Sequence, residues 1–239
     1  MNLEPLLDNN TLPPFAKRLR AAADRIWEDG YNQPFIRELG AGTLAPEQFA
    51  FYLTQDTLYL RDYAKVHAIA ATKTDDLEIM DFMAQVQASI VHGEMTMQRE
   101  FLESYHLDPA TVAGAKQSAF AYAYTSNILS VAYTGDLVDI LVAILPCAWV
   151  YADYGRRLAN EFADELDSNP YKPWIDMYRT DEFWASGRWL IDHIEPIART
   201  LPESRLEQLE TLFVRGVGYE YMFWDSAYRM QMQWKKEWQ

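Results

Sequence analysis

The chain has 239 residues, 49% hydrophobic and 14% aromatic, and its 35 acidic against 21 basic side chains give a formal net charge of -14 at pH 7. That field repels phosphate backbones and anionic lipid, so nucleic acid and membrane are excluded as expected partners. A single cysteine precludes an intrachain disulfide, MNLEPLLDNN lacks the basic and apolar regions of a signal peptide, and no apolar run reaches about 18 residues, which makes the cytoplasm the expected compartment.

Glycine is scarce, and apolar residues recur three and four apart almost throughout, which predicts an all-α bundle in one domain over residues 1–239. In chain order, Asp8 to Thr11 read as the start of a helix through Trp27 that Gly30 ends, and a short helix from Pro34 to Leu39 closes at Gly40-Ala41-Gly42. Pro46 and Glu47 open a long helix to Thr72, and another follows Thr74-Asp75-Asp76 to about Tyr105. A second pair, Ala119 to Tyr133 and Leu137 to about Glu165, flanks Thr134-Gly135-Asp136. Asn169-Pro170 breaks the chain, and helices around Phe183 to Ile197 and from Glu203 to about Trp234 complete the set. The tail MQMQWKKEWQ is expected either to cover a neighbouring subunit or to fray.

Three polar residues fall on otherwise apolar or aromatic helical stripes. Asp56 shares a face with Tyr52, Tyr59, Tyr63 and Val66; Cys147 with Ile140, Ile144, Tyr151 and Tyr154; Glu220 with Phe213, Gly216, Phe223 and Ala227. Burying an unpaired carboxylate costs several kcal/mol, so each acid needs a partner or a function. One such acid is more often a structural hydrogen-bond partner than a catalytic group, and one such cysteine more often fills a core. Three on three long helices point instead to one central cavity, because a bundle turns its inward stripes toward each other. Pro146, inside the helix before Cys147, predicts a kink. Gly216 and Gly218 each cost about 1 kcal/mol in a helix, which a close helix approach or a ligand would justify and a distorted helix would also explain.

The segments PFIRELGAGTLAPEQFAFYLTQDTLYL, AYAYTSNIL, ILPCAWVYADYG, NPYKPWIDMY and YEYMFWDSAY, in this order and spacing, resemble the TenA proteins, also called thiaminase II or aminopyrimidine aminohydrolase. The resemblance spans nearly the whole chain and falls in the branch that keeps a cysteine in the central helix. It implies a haem-oxygenase-like helical fold, commonly a homotetramer, no cofactor or metal, and a small pyrimidine substrate. It places Asp56, Tyr59, Tyr124, Cys147, Tyr151, Tyr178, Glu220 and Phe223 at the family's pocket positions, with Cys147, Glu220 and Asp56 as the catalytic set.

The residue types suit that chemistry. A carboxylate such as Asp56 matches the amino group and ring nitrogen of an aminopyrimidine edge, a thiolate can add to the electron-poor ring, and Glu220 can protonate a leaving amine. Tyr124 and Phe223 can face the ring while the hydroxyls of Tyr59, Tyr151 and Tyr178 orient the reacting groups. Two rivals remain. A di-iron oxidase needs paired Glu-x-x-His turns, of which only Glu103 to His106 is present, and a haem protein of this fold needs a ligand on the first helix, where no histidine occurs before His67. A protein that merely binds a pyrimidine would use the aromatic residues and Asp56 but would leave Cys147 and Glu220 without a purpose.

Overall fold

The computed structural model describes residues 11–94, 101, 112, 114–235 and 237, and all of the regular structure among them is helical. The helices are α1 (Pro14–Asn32), α2 (Pro34–Ala41), α3 (Pro46–Ala71), α4 (Leu77–Ser89), α5 (Ala119–Thr134), α6 (Leu137–Glu161), α7 (Lys172–Tyr178), α8 (Asp181–Ala198) and α9 (Glu203–Tyr228). A π-helical segment, Ile90–Glu94, continues α4, and the remaining stretch of that predicted helix, toward Tyr105, lies outside the described residues.

Local chemistry accounts for most of the boundaries. Prolines open α1, α2 and α3 at positions where a missing N–H costs no hydrogen bond. Asp76, Ser118 and Thr180 cap α4, α5 and α8 by accepting from the amides of Glu78, Ala121 and Phe183 at 2.9, 3.1 and 3.1 Å. Gly42 ends α2 at φ 73°, a left-handed conformation that glycine adopts without strain. Three helices differ from expectation at an end, α6 by stopping at Glu161 short of the expected Glu165, and α7 is an addition to the expected set. Helix α1 starts at Pro14 and runs through Gly30 to Asn32; a Cβ at Gly30 would collide with the Tyr154 hydroxyl, so this glycine permits close approach of α6 and does not end the helix. Helix α9 stops at Tyr228, before the expected Trp234, because the chain turns with positive φ at Met230 and Gln233. The tail then packs on its own chain: Ala119 N–H donates to the Met232 carbonyl at 2.9 Å and the Trp234 indole donates to the Gln117 carbonyl at 2.9 Å.

The chain divides into two compact units, Met1–Leu44 with Leu141–Tyr221, and Ala45–Ile140 with Met222–Gln239. The first has an aromatic centre in which Trp27 stands 5.4 Å from Trp149 and 6.5 Å from Phe213, ring centre to ring centre. Its rim is ionic. The Arg157 guanidinium lies 3.6 Å above the Tyr31 ring and forks onto Glu28, while Tyr31 donates to Glu161 at 2.6 Å and Arg37 forks onto the same carboxylate. Asn169 donates to the carbonyls of Leu39 and Gly40, closing the αL end of α2. In the second unit α3 packs against α4 and α5. Gln55 donates to the Lys116 carbonyl at 3.2 Å and accepts from Ser118 N–H at 2.7 Å, and so holds the start of α5.

Helix α6 contains an 18-residue window of mean hydropathy 1.6, long and apolar enough to cross a membrane, although the sequence shows no uninterrupted apolar run of that length. Burial explains the composition: 78% of that window is covered by protein, as suits a core helix.

Candidate functional site

In the second unit, the register of α3 places Tyr52, Asp56, Tyr59 and Tyr63 on one buried face. Asp56 is 4% exposed, with the Tyr52 hydroxyl 3.5 Å from its Oδ2, the outer limit of a hydrogen bond. Phe223 reaches both flanks of the acid, with its ring centre 6.0 Å from Tyr52 and 6.0 Å from Tyr59. Tyr124 on α5 stands 4.9 Å from Tyr59. Four of the sequence-predicted residues, Asp56, Tyr59, Tyr124 and Phe223, thus come together as a carboxylate walled by aromatic rings. Such an arrangement can accept hydrogen bonds from a flat polar heterocycle while stacking on its faces.

In the first unit, Cys147 and Tyr151 lie one turn apart on α6. Tyr151 is 4.8 Å from Tyr178 and 5.7 Å from Trp174, Trp174 is 4.7 Å from Tyr178, and Phe183 meets Tyr178 edge-on at 4.8 Å. From Ile140 to Ala152 every residue is buried except Cys147, which is partly exposed. That opening matters, because a sealed thiol is inert and an accessible one can meet a substrate. Glu220 is 2% exposed and lies one turn beyond Gly216. Gly216 packs against Pro146, the residue before Cys147: a Cβ there would sit 2.6 Å from the proline Cγ. Gly218 has open space around it, so close helix approach accounts for only one of the two glycines.

Sequence reasoning left out one neighbour in each of the two clusters. Trp174 is fully buried beside Tyr151 and Tyr178, and its i, i+4 spacing to Tyr178 on α7 was an available signal. Gln55, next to Asp56, sits at 3% exposure and gave no signal, since its partners lie 61 and 63 residues away. Among the described residues no group of three or more His, Cys, Asp or Glu side chains converges as a metal site requires, and the Glu103 to His106 pair lies outside them. A cavity of about 520 Å³ in the second unit, lined by Leu58, Arg61, Lys65, Ile90 and Gln117 among others, contains none of the candidate residues.

The TENA/THI-4/PQQC family description matches residues 20–230. An aminopyrimidine aminohydrolase of Halalkalibacterium halodurans is 35% identical over 218 residues, 91% of this chain and 97% of that protein. A TenA homologue from P. horikoshii OT3 superposes with a TM-score of 0.80 at 27% identity, covering 90% of this chain and 98% of the other. A Shewanella denitrificans domain described as having a heme oxygenase-like fold gives a TM-score of 0.70 at 16% identity, over 90% and 92% of the two chains, a likeness of fold alone.

Proposed function

Because the chain belongs to the TENA/THI-4/PQQC family, we propose that it is an aminopyrimidine aminohydrolase, a thiaminase II. It converts 4-amino-5-aminomethyl-2-methylpyrimidine and water to the 5-hydroxymethyl pyrimidine and ammonia, a reaction of thiamin salvage that breaks a C–N bond. The observation that best supports covalent catalysis is the partial exposure of Cys147 within an otherwise buried run of α6.

The roles follow from the chemistry. Asp56 accepts from the exocyclic amine and shares a proton with the adjacent ring nitrogen, so that the ring can take up electrons. The Cys147 sulfur adds to the ring carbon beside the substituted position and its proton leaves to the substrate or to Glu220. The displaced electron pair expels the amine from the exocyclic carbon as Glu220 protonates it, leaving an exocyclic methylene. Water adds to that methylene, the sulfur departs with its electron pair, and aromaticity returns. The sequence is redox-neutral. Tyr124 and Phe223 face the ring, and Tyr59, Tyr151 and Tyr178 orient the reacting groups.

The family match takes in parts of both units, which supports reading them as one catalytic module over residues 1–239. A homotetramer is inferred from the family resemblance alone, and light scattering at working concentration tests it. The acidic surface and single thiol suit the cytoplasm.

The decisive experiment incubates the purified protein with the aminomethyl pyrimidine and with thiamin separately, following the hydroxymethyl product and ammonia. Ammonia release with catalytic turnover is the expected result. Tight binding of the aminomethyl compound without ammonia release would instead identify a pyrimidine-binding protein and overturn the proposal.

A further inference from the structure

Helices α6 and α9 meet within the first unit through two residue pairs. Trp149 and Phe213 stand 5.8 Å apart, and Gly216 lies against Pro146 so closely that an added Cβ would come within 2.6 Å of the proline Cγ and 3.3 Å of its Cβ. The partner number falls on α6 as it rises on α9, so the helices run antiparallel across this contact. By that register Cys147 is level with position 215, and Glu220, five residues further along α9, is displaced by about 7.5 Å along the axis. Side chains on a helix lean toward its N-terminus. In an antiparallel pair this leans Cys147 toward the level of Glu220 and Glu220 back toward the level of Cys147. The lean shortens the axial offset between the two groups, and that offset is fixed where the helices touch.

We propose that Gly216 and Pro146 form a positioning contact that sets the reach of Glu220 to the leaving group of a pyrimidine held at Cys147. The inference rests on the reading of Cys147 as nucleophile and Glu220 as acid. The contact can fix that reach because neither partner yields easily. Pro146 is a ring tied to its own backbone, and Gly216 has no side chain to rotate away. Adding a methyl group must push α9 from α6, and displacement on the order of 1 Å from an aligned reaction geometry can cost about 100-fold in rate.

The test compares Gly216→Ala, Pro146→Ala and the double variant on the aminomethyl pyrimidine, whose amine leaves only when protonated, and on thiamin, whose thiazole leaves as a neutral ring. For Gly216→Ala, kcat on the amine should fall about 10- to 100-fold with KM within about twofold, while kcat on thiamin falls far less. The double variant removes the proline ring that the methyl strikes, and should recover the amine-to-thiamin rate ratio of Pro146→Ala alone. It also reports if Gly216→Ala does not fold. Equal losses on both substrates, or no recovery of the ratio, overturn the positioning role. Cys147→Ser, run in parallel, separates the two levels of argument. If it turns over near-normally, the covalent reading falls and this inference with it; if it is inactive while Gly216→Ala keeps full amine turnover, only the inference falls.

Discussion

At the scale of single residues, Asp56, Cys147 and Glu220 are each surrounded by apolar or aromatic groups on a long helix. The offsets of four and three that tie Asp56 to Tyr52 and Tyr59 were legible in the sequence because helical periodicity alone fixes them. Phe223 joining Tyr52 and Tyr59 was legible only through the family pattern, since no local rule pairs residues that far apart. Cys147→Ser should keep the helical circular dichroism and lose about 1,000-fold or more in kcat, because an alcohol is a far poorer nucleophile at neutral pH. Near-normal turnover would remove covalent catalysis from the scheme. Glu220→Gln should lose more with an amine leaving group than with thiazole, and equal losses would count against the acid role.

At the scale of elements, the periodic pattern located the helices, while tertiary contacts decided how glycines and ends were used. Gly30 looked like a stop signal and instead lies inside α1 against Tyr154, because local sequence cannot announce a partner more than a hundred positions away. The end of α9 was overrun for the same reason: the tail finds acceptors and donors at Gln117 and Ala119 that continued helix would forgo. Two glycine substitutions should move stability in opposite directions. At Gly218 nothing lies within 4 Å, so Gly218→Ala should raise unfolding free energy by about 0.5–1 kcal/mol, seen as a higher urea midpoint. At Gly155 a Cβ would come 2.8 Å from the Tyr178 carbonyl carbon and 3.0 Å from the Arg179 nitrogen, backbone atoms that cannot rotate aside. Gly155→Ala should therefore cost about 1–3 kcal/mol and disturb the end of α7 that carries Tyr178. A midpoint that fell for the first or held for the second would contradict this use of space.

At the scale of the whole molecule, acid should weaken the fold in two stretches. Burial holds the His67 imidazole down at about 4 from its usual 6.5, with its Nδ1 2.9 Å from the Tyr63 carbonyl, so it folds neutral. The unfolded chain takes up that proton first, so the stability this group preserves is complete above pH 6.5 and lost as pH falls toward 4, on the order of 3 kcal/mol in all. The fork from Arg37, with the Tyr31 hydroxyl, holds Glu161 down at about 2 from 4.5, so its share is present above pH 4.5 and lost as pH falls toward 2. Its partly exposed position makes that second share small. Urea midpoints measured from pH 7.5 to 4.5 should decline for the native chain and decline less for His67→Leu; an identical slope would remove His67 as the cause. The all-helical fold was readable from composition and period together. The division into units was not, since no linker or change of composition marks residues 44, 140 or 221.

That division has a consequence for how the protein is made. The first unit is built from Met1–Leu44 and Leu141–Tyr221, with the whole of Ala45–Ile140 emerging from the ribosome between them. At about 5–20 residues per second, α1 is in solution for roughly 5 to 20 seconds before α6 begins to appear, and longer before α9 does. Throughout that interval Trp27, fully enclosed in the finished molecule, lacks both Trp149 and Phe213. Nascent chains arrested near residue 140 should therefore hold tightly to chaperones that bind exposed apolar helix, and release should follow synthesis past residue 221.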